Sequence, residues 1–282
     1  AIARNYTHRQ NHKKIAPKVS LKEVILDDET KNKITRIIVN KRLESTVSEQ
    51  PKLFNIKQSI NLFHGYPGTG KTLAASAIAQ ALNTDLIVAD ISSLFGKYFG
   101  ETEKAFTSLF QEAEANKAVL LLDECDALLR TRESKNVIAS SINHLLKLIE
   151  GYSGVLVMCT NAPLALDKAL ARRINNIVEF KIPGAKERAL IVATHLAQMT
   201  MCGVQIGADV NVTEAVKPLR GLTGGLVKNA VVRMLHAMQS APEAVLTQEK
   251  LCENLNAVLA EQQCLLGNET TVKNIGFTQR EK

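Results

Sequence analysis

The sequence has no Trp and few other aromatic residues, which together make up 4% of its 282 positions. It also has no apolar run long enough to cross a membrane, and its first residues lack the apolar core of a secretory signal peptide. These absences argue against a membrane-spanning or exported protein. We therefore expect a cytoplasmic location and no contact with a membrane.

Cysteine is scarce as well, and the five cysteines lack the paired C-x-x-C spacing of many zinc sites. Two of them lie inside apolar runs typical of strands. We interpret all five as reduced thiols in a reducing compartment, and we expect neither a disulfide framework nor a zinc centre. They are Cys125, Cys159, Cys202, Cys252 and Cys264.

The charge of the chain is unevenly distributed. There are 35 Lys or Arg residues against 28 Asp or Glu residues, a net charge of +7. Residues 1–24 contain six of the basic residues and one Glu, so they carry five of the seven net charges. Such an arm could contact nucleic acid or an acidic partner, but a solvated linker is the simpler interpretation and the one we favour.

Short apolar segments alternate with helical patterns over the first two thirds of the chain. This alternation predicts an α/β fold in which helices cover both faces of a parallel sheet. The five expected strands lie within residues 59–63, 84–92, 117–128, 154–163 and 175–183. Strand patterns then stop, and helical periodicity predicts a small all-helical domain. The expected division is a basic arm or linker over 1–20, an α/β domain over 21–183 and a helical lid domain over 184–282.

Three glycines within six residues follow the first expected strand, in the sequence HGYPGTGKT over residues 64–72. Their spacing, Gly65-x-x-x-x-Gly70-Lys71-Thr72, is the phosphate-binding P-loop pattern. Glycine lets the backbone wrap around phosphates, and the N-terminus of the helix that follows favours their negative charge. Lys71 can reach the outer phosphates, and the Thr72 hydroxyl can hold Mg²⁺. We therefore expect the chain to bind a nucleoside triphosphate together with Mg²⁺.

An acidic pair follows the third expected strand. Asp123 and Glu124 come directly after five apolar residues, and the carboxyl ends of parallel strands are where open sheets bind ligands. A buried carboxylate needs a partner, which Mg²⁺ beside the phosphates would provide for Asp123. Glu124 is then placed to polarise the attacking water.

With these motifs the sequence resembles the AAA+ ATPases, and within them the protein-remodelling clade that has a second region of homology. The similarity extends from Val19 to about Ser240. The segment HLLKLIEGYSGVLVMCTNAPLALDKALARRI, residues 144–174, resembles the long signature of that clade. By this resemblance Asn161 is the sensor 1 amide, which orients the lytic water together with Glu124.

Arg172 and Arg173 align with the arginine fingers of the family, which reach the nucleotide of a neighbouring subunit. Arginine suits this role because its planar guanidinium can donate two parallel hydrogen bonds. The family often continues the pair with Phe and an acidic residue, whereas Ile174 and Asn175 follow here. The sequence therefore leaves open which arginine acts. No arginine occupies the sensor 2 position either, where Lys228 is a candidate.

The segment after the second expected strand resembles the first pore loop of the family. Its aromatic–apolar–Gly pattern is Tyr98-Phe99-Gly100, preceded by Lys97. In a ring, exposed aromatic side chains at this place would grip an extended polypeptide. The alternative is that both aromatics close the edge of the sheet as core residues. In a chain with few aromatics, an adjacent pair between Lys97 and Gly100 favours the pore interpretation.

The resemblance thus predicts an ATPase that remodels or unfolds polypeptides threaded through the pore of a homo-oligomeric ring, expected to be a hexamer. Two alternatives stay open: a nucleic-acid-linked AAA+ ATPase such as a loader or transposition helper, and an assembly factor switched by ATP. The expected catalytic residues are Glu124, Asn161, Arg172 and Arg173. The expected nucleotide-binding residues are Gly65, Pro67, Gly68, Thr69, Gly70, Lys71, Thr72, Leu73, Asp123 and Gly225, with Thr72 and Asp123 also holding the metal.

Overall fold

The computed structural model describes residues 12–46, 59–94, 100–126, 136–161, 168–239 and 245–266. The strands in these ranges are β1 (His12–Ile15), β2 (Ser59–Gly65), β3 (Leu86–Asp90), β4 (Val119–Asp123), β5 (Val155–Thr160), β6 (Asn176–Phe180), β7 (Gln205–Ile206) and β8 (Val245–Leu246). The helices are α1 (Asp28–Thr46), α2 (Lys71–Leu82), α3 (Ile91–Leu94), α4 (Glu101–Ala115), α5 (Asn136–Gly151), α6 (Lys168–Ala171), α7 (Ala185–Met201), α8 (Val212–Val216), α9 (Gly224–Gln239) and α10 (Gln248–Leu266). Within these ranges, none of the helices is long and apolar enough to cross a membrane.

A single sheet contains all five strands expected from the sequence, in the order β1-β3-β4-β5-β2-β6. The neighbouring pairs β3–β4, β4–β5 and β5–β2 are parallel. The predicted α/β fold with a mainly parallel sheet is thus confirmed. Parallel strands also bring their carboxyl ends to one edge, so the ends of β4 and β5 lie side by side.

The sheet has a sixth strand that the sequence did not indicate. β1 lies in the segment interpreted as a basic arm, and it pairs antiparallel with β3 at the sheet edge. Its residues Lys13, Lys14 and Ile15 are exposed, so it shows no apolar alternation. The pairing is reinforced by side chains, since Lys14 Nζ lies 3.1 Å from the Asp85 carboxylate.

One face of the sheet packs on α4 and α5 to form the main core of the first compact unit. Alternate residues of the central strands point into it, because successive side chains of a strand lie on opposite faces. They include Ile60 and Leu62 of β2, Leu120 and Leu122 of β4, and Leu156 and Met158 of β5. This packing fixes the register of the strands whose ends carry the candidate site.

The contacts between residues divide the chain into two compact units. The second unit is made of the described residues within Ile25–Lys31, Gly65–Gly70 and Phe180–Lys282. Its own core is formed largely by α7, α9 and α10. The C-terminal region is helical as expected, but it also contains the parallel pair β7–β8. Each of these strands is two residues long, too short to produce a period-2 pattern in the sequence.

Candidate nucleotide site

The turn after β2 adopts a backbone that favours glycine. Gly65, Gly68 and Gly70 all have positive φ, at 145°, 76° and 99°. A Cβ atom on Gly65 would lie 2.2 Å from the carbonyl oxygen of Phe180. The Thr69 hydroxyl closes the turn by donating to the Tyr66 carbonyl at 2.7 Å. The three glycines of the P-loop pattern are therefore required by conformation, and Gly65 is also required by close packing.

The beginning of α9 lies against this turn, within the same compact unit. The Gly225 amide donates to the Gly68 carbonyl at 3.0 Å. A Cβ atom on Gly225 would lie 3.1 Å from the Gly68 Cα atom, so a side chain there would crowd the turn. Pro67 is exposed, and Leu73, near the start of α2, is 43% exposed.

Lys71 and Asn161 meet in the first unit. Lys71 begins α2 and is buried, and its Nζ atom donates to Asn161 Oδ1 at 2.8 Å. Burial lowers the pKa of the Lys71 ammonium, although the carboxylates of Asp123 and Asp126 act in the opposite direction. The P-loop lysine and the predicted sensor 1 amide thus lie within direct hydrogen-bonding distance of each other.

Thr72 and Asp123 form the second contact of the site. The Thr72 hydroxyl donates to Asp123 Oδ2 at 3.2 Å. A hydroxyl and a carboxylate are hard oxygen ligands, and Mg²⁺ is commonly held by one or two such groups together with phosphate oxygens and water. Within the described residues no group of three or more His, Cys, Asp or Glu could hold a metal ion by itself. The residues present therefore fit a Mg²⁺ ion that the nucleotide helps to bind.

Glu124 lies at the end of β4 in an unusual backbone conformation. Its φ is 54°, in the left-handed region, and its side chain is exposed. A non-glycine residue held in this region costs on the order of 1–3 kcal/mol. Its amide donates to Asp123 Oδ1 at 3.0 Å. Such strain is often found at functional sites, where it fixes the direction of a side chain.

Asp126 is a further member of the site that the sequence analysis missed. Its carboxylate accepts hydrogen bonds from the Thr160 hydroxyl and from the backbone amide of Asn161, the latter at 3.0 Å. It therefore links the segment after β4 to the end of β5, directly at Asn161. The sequence signal was the third carboxylate of DECD, three residues after Asp123.

The two arginines differ in their surroundings. Arg173 Nε donates to Glu150 Oε1 at 2.8 Å, and the same guanidinium also bonds to the carbonyl of Ala169. Arg172 is exposed, and nothing in the described part of the chain forms a hydrogen bond or an ion pair with its side chain. Neither arginine forms a hydrogen bond with the Lys71–Asn161 pair among the described residues.

Part of the predicted pore loop lies outside the described residues. This applies to Lys97, Tyr98 and Phe99. Gly100 is described and precedes α4 as its N-cap, with φ 85°. Lys228, the sensor 2 candidate, is an exposed residue of α9.

Comparison with known proteins agrees with this arrangement. Residues 61–182 match the model of the ATPase family associated with various cellular activities, AAA. This range contains the P-loop, the acidic pair, Asn161 and both arginines, and together with the fold it defines a nucleotide-binding domain of the P-loop type. The chain therefore carries an AAA ATPase domain over these residues.

Several curated relatives of this family are similar over most of the chain. A 26S proteasome regulatory subunit homolog of Methanocaldococcus jannaschii is 31% identical over 225 residues, covering 77% of this chain and 57% of the relative. A cell division cycle protein 48 homolog of Archaeoglobus fulgidus is 29% identical over 204 residues, covering 67% of this chain and 27% of the relative. Protein SAV of Sulfolobus acidocaldarius is 30% identical over 284 residues, covering 89% of this chain and 34% of the relative. The similarity is to AAA ATPases of the remodelling type, and the chain spans less than two thirds of the length of each of these relatives.

Proposed function

We propose that the protein hydrolyses ATP with Mg²⁺ and uses the energy to remodel polypeptides, as one subunit of a homo-oligomeric ring of six copies. The observation that supports hydrolysis most directly is the cluster at the carboxyl ends of β4 and β5. There the first two residues of α2 bond to the ends of neighbouring strands, Lys71 to Asn161 after β5 and Thr72 to Asp123 of β4, and the strained Glu124 follows Asp123. This is the set of groups that phosphoryl transfer to water needs.

Each group has a distinct role in this proposal. Lys71 binds the outer phosphates and exchanges its bond with Asn161 for phosphate oxygens. Thr72 and Asp123 hold Mg²⁺, which neutralises negative charge on the phosphates when bound. Glu124 polarises the attacking water, and the Asn161 amide, once released from Lys71, orients it.

We assign the trans-acting role to Arg172. Arg173 is held within its own chain by Glu150, while Arg172 is exposed and unpaired within the described residues. An exposed guanidinium can neutralise charge that develops on the nucleotide of a neighbouring copy. The ring is therefore part of the catalytic proposal, because an isolated subunit would lack this cation.

Polypeptide as the substrate is supported by two kinds of observation. The relatives include a proteasome regulatory subunit homolog and a cell division cycle protein 48 homolog. The sequence also places Tyr98 and Phe99 in a pore-loop pattern. The nucleic-acid alternative depended on the basic arm, and its support is reduced because Lys14 contacts Asp85 and Asn116 within the chain.

The test of hydrolysis is Glu124→Gln, which keeps the size of the side chain and removes its basic oxygen. We expect ATP affinity within about threefold of wild type and turnover 10²- to 10³-fold lower, the usual cost of losing one such group. Glu114→Gln, at an exposed position of α4, is the matched control and should leave both quantities unchanged. Wild-type turnover in Glu124→Gln would show that the assignment is wrong.

A further inference from the structure

A fully buried asparagine interrupts the apolar strand that leads into the P-loop. Asn61 is 0% exposed and lies between the buried residues Ile60 and Leu62 of β2. An amide in such a place costs stability unless its donors and acceptor find partners. Its presence in a strand that an aliphatic residue would fill equally well raises the question of what its partners are.

The partners of Asn61 lie on both sides of β2. Its Nδ2 atom donates to the carbonyls of Ser59 and Leu156, each at 3.0 Å. Its Oδ1 atom accepts from Asn176 Nδ2 at 2.8 Å. The amide is thus satisfied, and the last of these bonds fixes the first residue of β6.

Asn175, the residue before Asn176, is also held by hydrogen bonds to β2. Asn175 donates its backbone amide to the Ile60 carbonyl at 2.8 Å, and its side-chain oxygen accepts from the Ile60 amide at 2.7 Å. We name Asn61, Asn175 and Asn176 the asparagine clamp. The clamp ties two consecutive residues after the arginine pair to two consecutive residues of β2.

The clamp lies close to Arg172 along the chain. Arg172 precedes Asn175 by three residues, which span at most about 10 Å. The connection is further constrained by a turn, since the Arg173 amide donates to the Leu170 carbonyl at 2.9 Å. Asn61 is buried, Asn176 is half-buried and Asn175 is exposed, but their hydrogen bonds are directional, whereas an apolar contact tolerates sliding. The position of the arginine turn is therefore set by the strand that runs into Gly65.

We infer that the asparagine clamp positions Arg172 for its action on the nucleotide of the neighbouring subunit. The three asparagines are positioning residues and do not touch the nucleotide. This inference rests on the proposed trans action of Arg172. It assigns a role to Asn175, one of the residues by which the chain departs from the usual sequence after the arginine pair.

The test measures how well Arg172 of one chain supports ATP turnover in the active site of another chain. The acceptor is Arg172→Ala, whose own hydrolytic residues are intact. The donor is Glu124→Gln, whose own turnover should be 10²- to 10³-fold lower but which still presents Arg172. Mixing the two should restore turnover, and the rate then reports the arginine of the donor alone.

The decisive donor combines Glu124→Gln with Asn61→Leu. We expect it to restore turnover at least tenfold less well than the unmodified donor, with the KM of the acceptor for ATP unchanged. Combining Glu124→Gln with Ile87→Val is the control for a mild change in a buried strand, and this donor should restore turnover fully. Asn176→Leu in the donor decides the same question if Asn61→Leu does not fold, because Asn176 is only half-buried.

Three results would overturn the inference. Full restoration by a folded clamp variant would show that the asparagines do not position Arg172. A deficit that disappears when the donor concentration is raised would show weakened assembly instead. If even the unmodified donor restores nothing, the trans action is wrong and the inference falls with it. That outcome differs from the first because it appears before any clamp residue is changed.

Discussion

Replacing Asp126 by Ala removes the carboxylate that joins the segment after β4 to the end of β5. Two hydrogen bonds are lost with it, one from the Thr160 hydroxyl and one from the Asn161 amide. Thr160 is buried and stays in the β5 ladder, so the main consequence falls on Asn161, the first residue after the strand. We expect Asn161 to lose its fixed orientation while the sheet stays folded.

The size of the effect follows from these bonds. A hydrogen bond to a charged group contributes about 1.5–3 kcal/mol, and a half-buried carboxylate such as Asp126 should lie toward the lower end. If about 1.4–2.8 kcal/mol appears in the activation barrier, the turnover number falls about 10- to 100-fold. ATP affinity should change much less, because Lys71 and the glycine turn remain.

The assay combines steady-state phosphate release at saturating ATP with equilibrium binding of a fluorescent ATP analogue. Asp90→Ala is the matched control, since Asp90 also ends a strand and accepts two hydrogen bonds, both from Ser92. Asp126→Ala should add little on top of Asn161→Ala, because both changes act through the Asn161 side chain: the first loosens the backbone that carries it, and the second removes it. Fully additive losses, or a wild-type rate in Asp126→Ala, would refute the reasoning.

Two further predictions concern the glycine turn and the pore loop. Gly65→Ala should lower the free energy of unfolding in urea by more than Gly203→Ala. Both residues have positive φ, which should cost about 1–2 kcal/mol, but only a Cβ on Gly65 would meet another atom, at 2.2 Å, so equal losses would contradict the packing argument. Tyr98→Ala should keep basal ATPase activity and lose its stimulation by an unfolded protein, whereas Tyr98→Phe should keep both, because the ring and not the hydroxyl makes the grip. Stimulation that persists in folded Tyr98→Ala would argue against threading.

The sequence was most informative where a local pattern has one structural solution. The central strands β3, β4 and β5 are largely buried, so they appear as short continuous apolar runs, and they were expected together with β2 and the edge strand β6. The P-loop glycines were equally predictable, because three residues with positive φ within one turn strongly favour glycine over other amino acids. The acidic pair could be placed because the end of a parallel strand is a defined position.

Long-range polar partners were not predictable in this way. Asn61 and Asn176 are 115 residues apart, and neither residue alone indicates the bond between them. Asp126 follows Glu124 closely, but a third carboxylate in an acidic segment looks the same whether it is solvated or bonded to Asn161. β1 was missed for a related reason, because its exposed lysines gave no alternation and its pairing depends on a distant strand.

The strain at Glu124 bears on how the proposed hydrolysis is controlled. The residues on either side of it are anchored: Asp123 pairs with Asp90 across β3 and β4, and the buried Cys125 donates its amide to the Cys159 carbonyl at 2.9 Å. These anchors hold the Glu124 backbone at positive φ and fix the direction in which its side chain leaves the chain, so in the proposed mechanism the fold itself helps to position the base. A preorganised base needs little rearrangement at the moment of reaction. In the proposed mechanism, control would then depend on the groups that have to arrive or change partners, namely Arg172 of the neighbouring copy and the Asn161 side-chain amide released by Lys71.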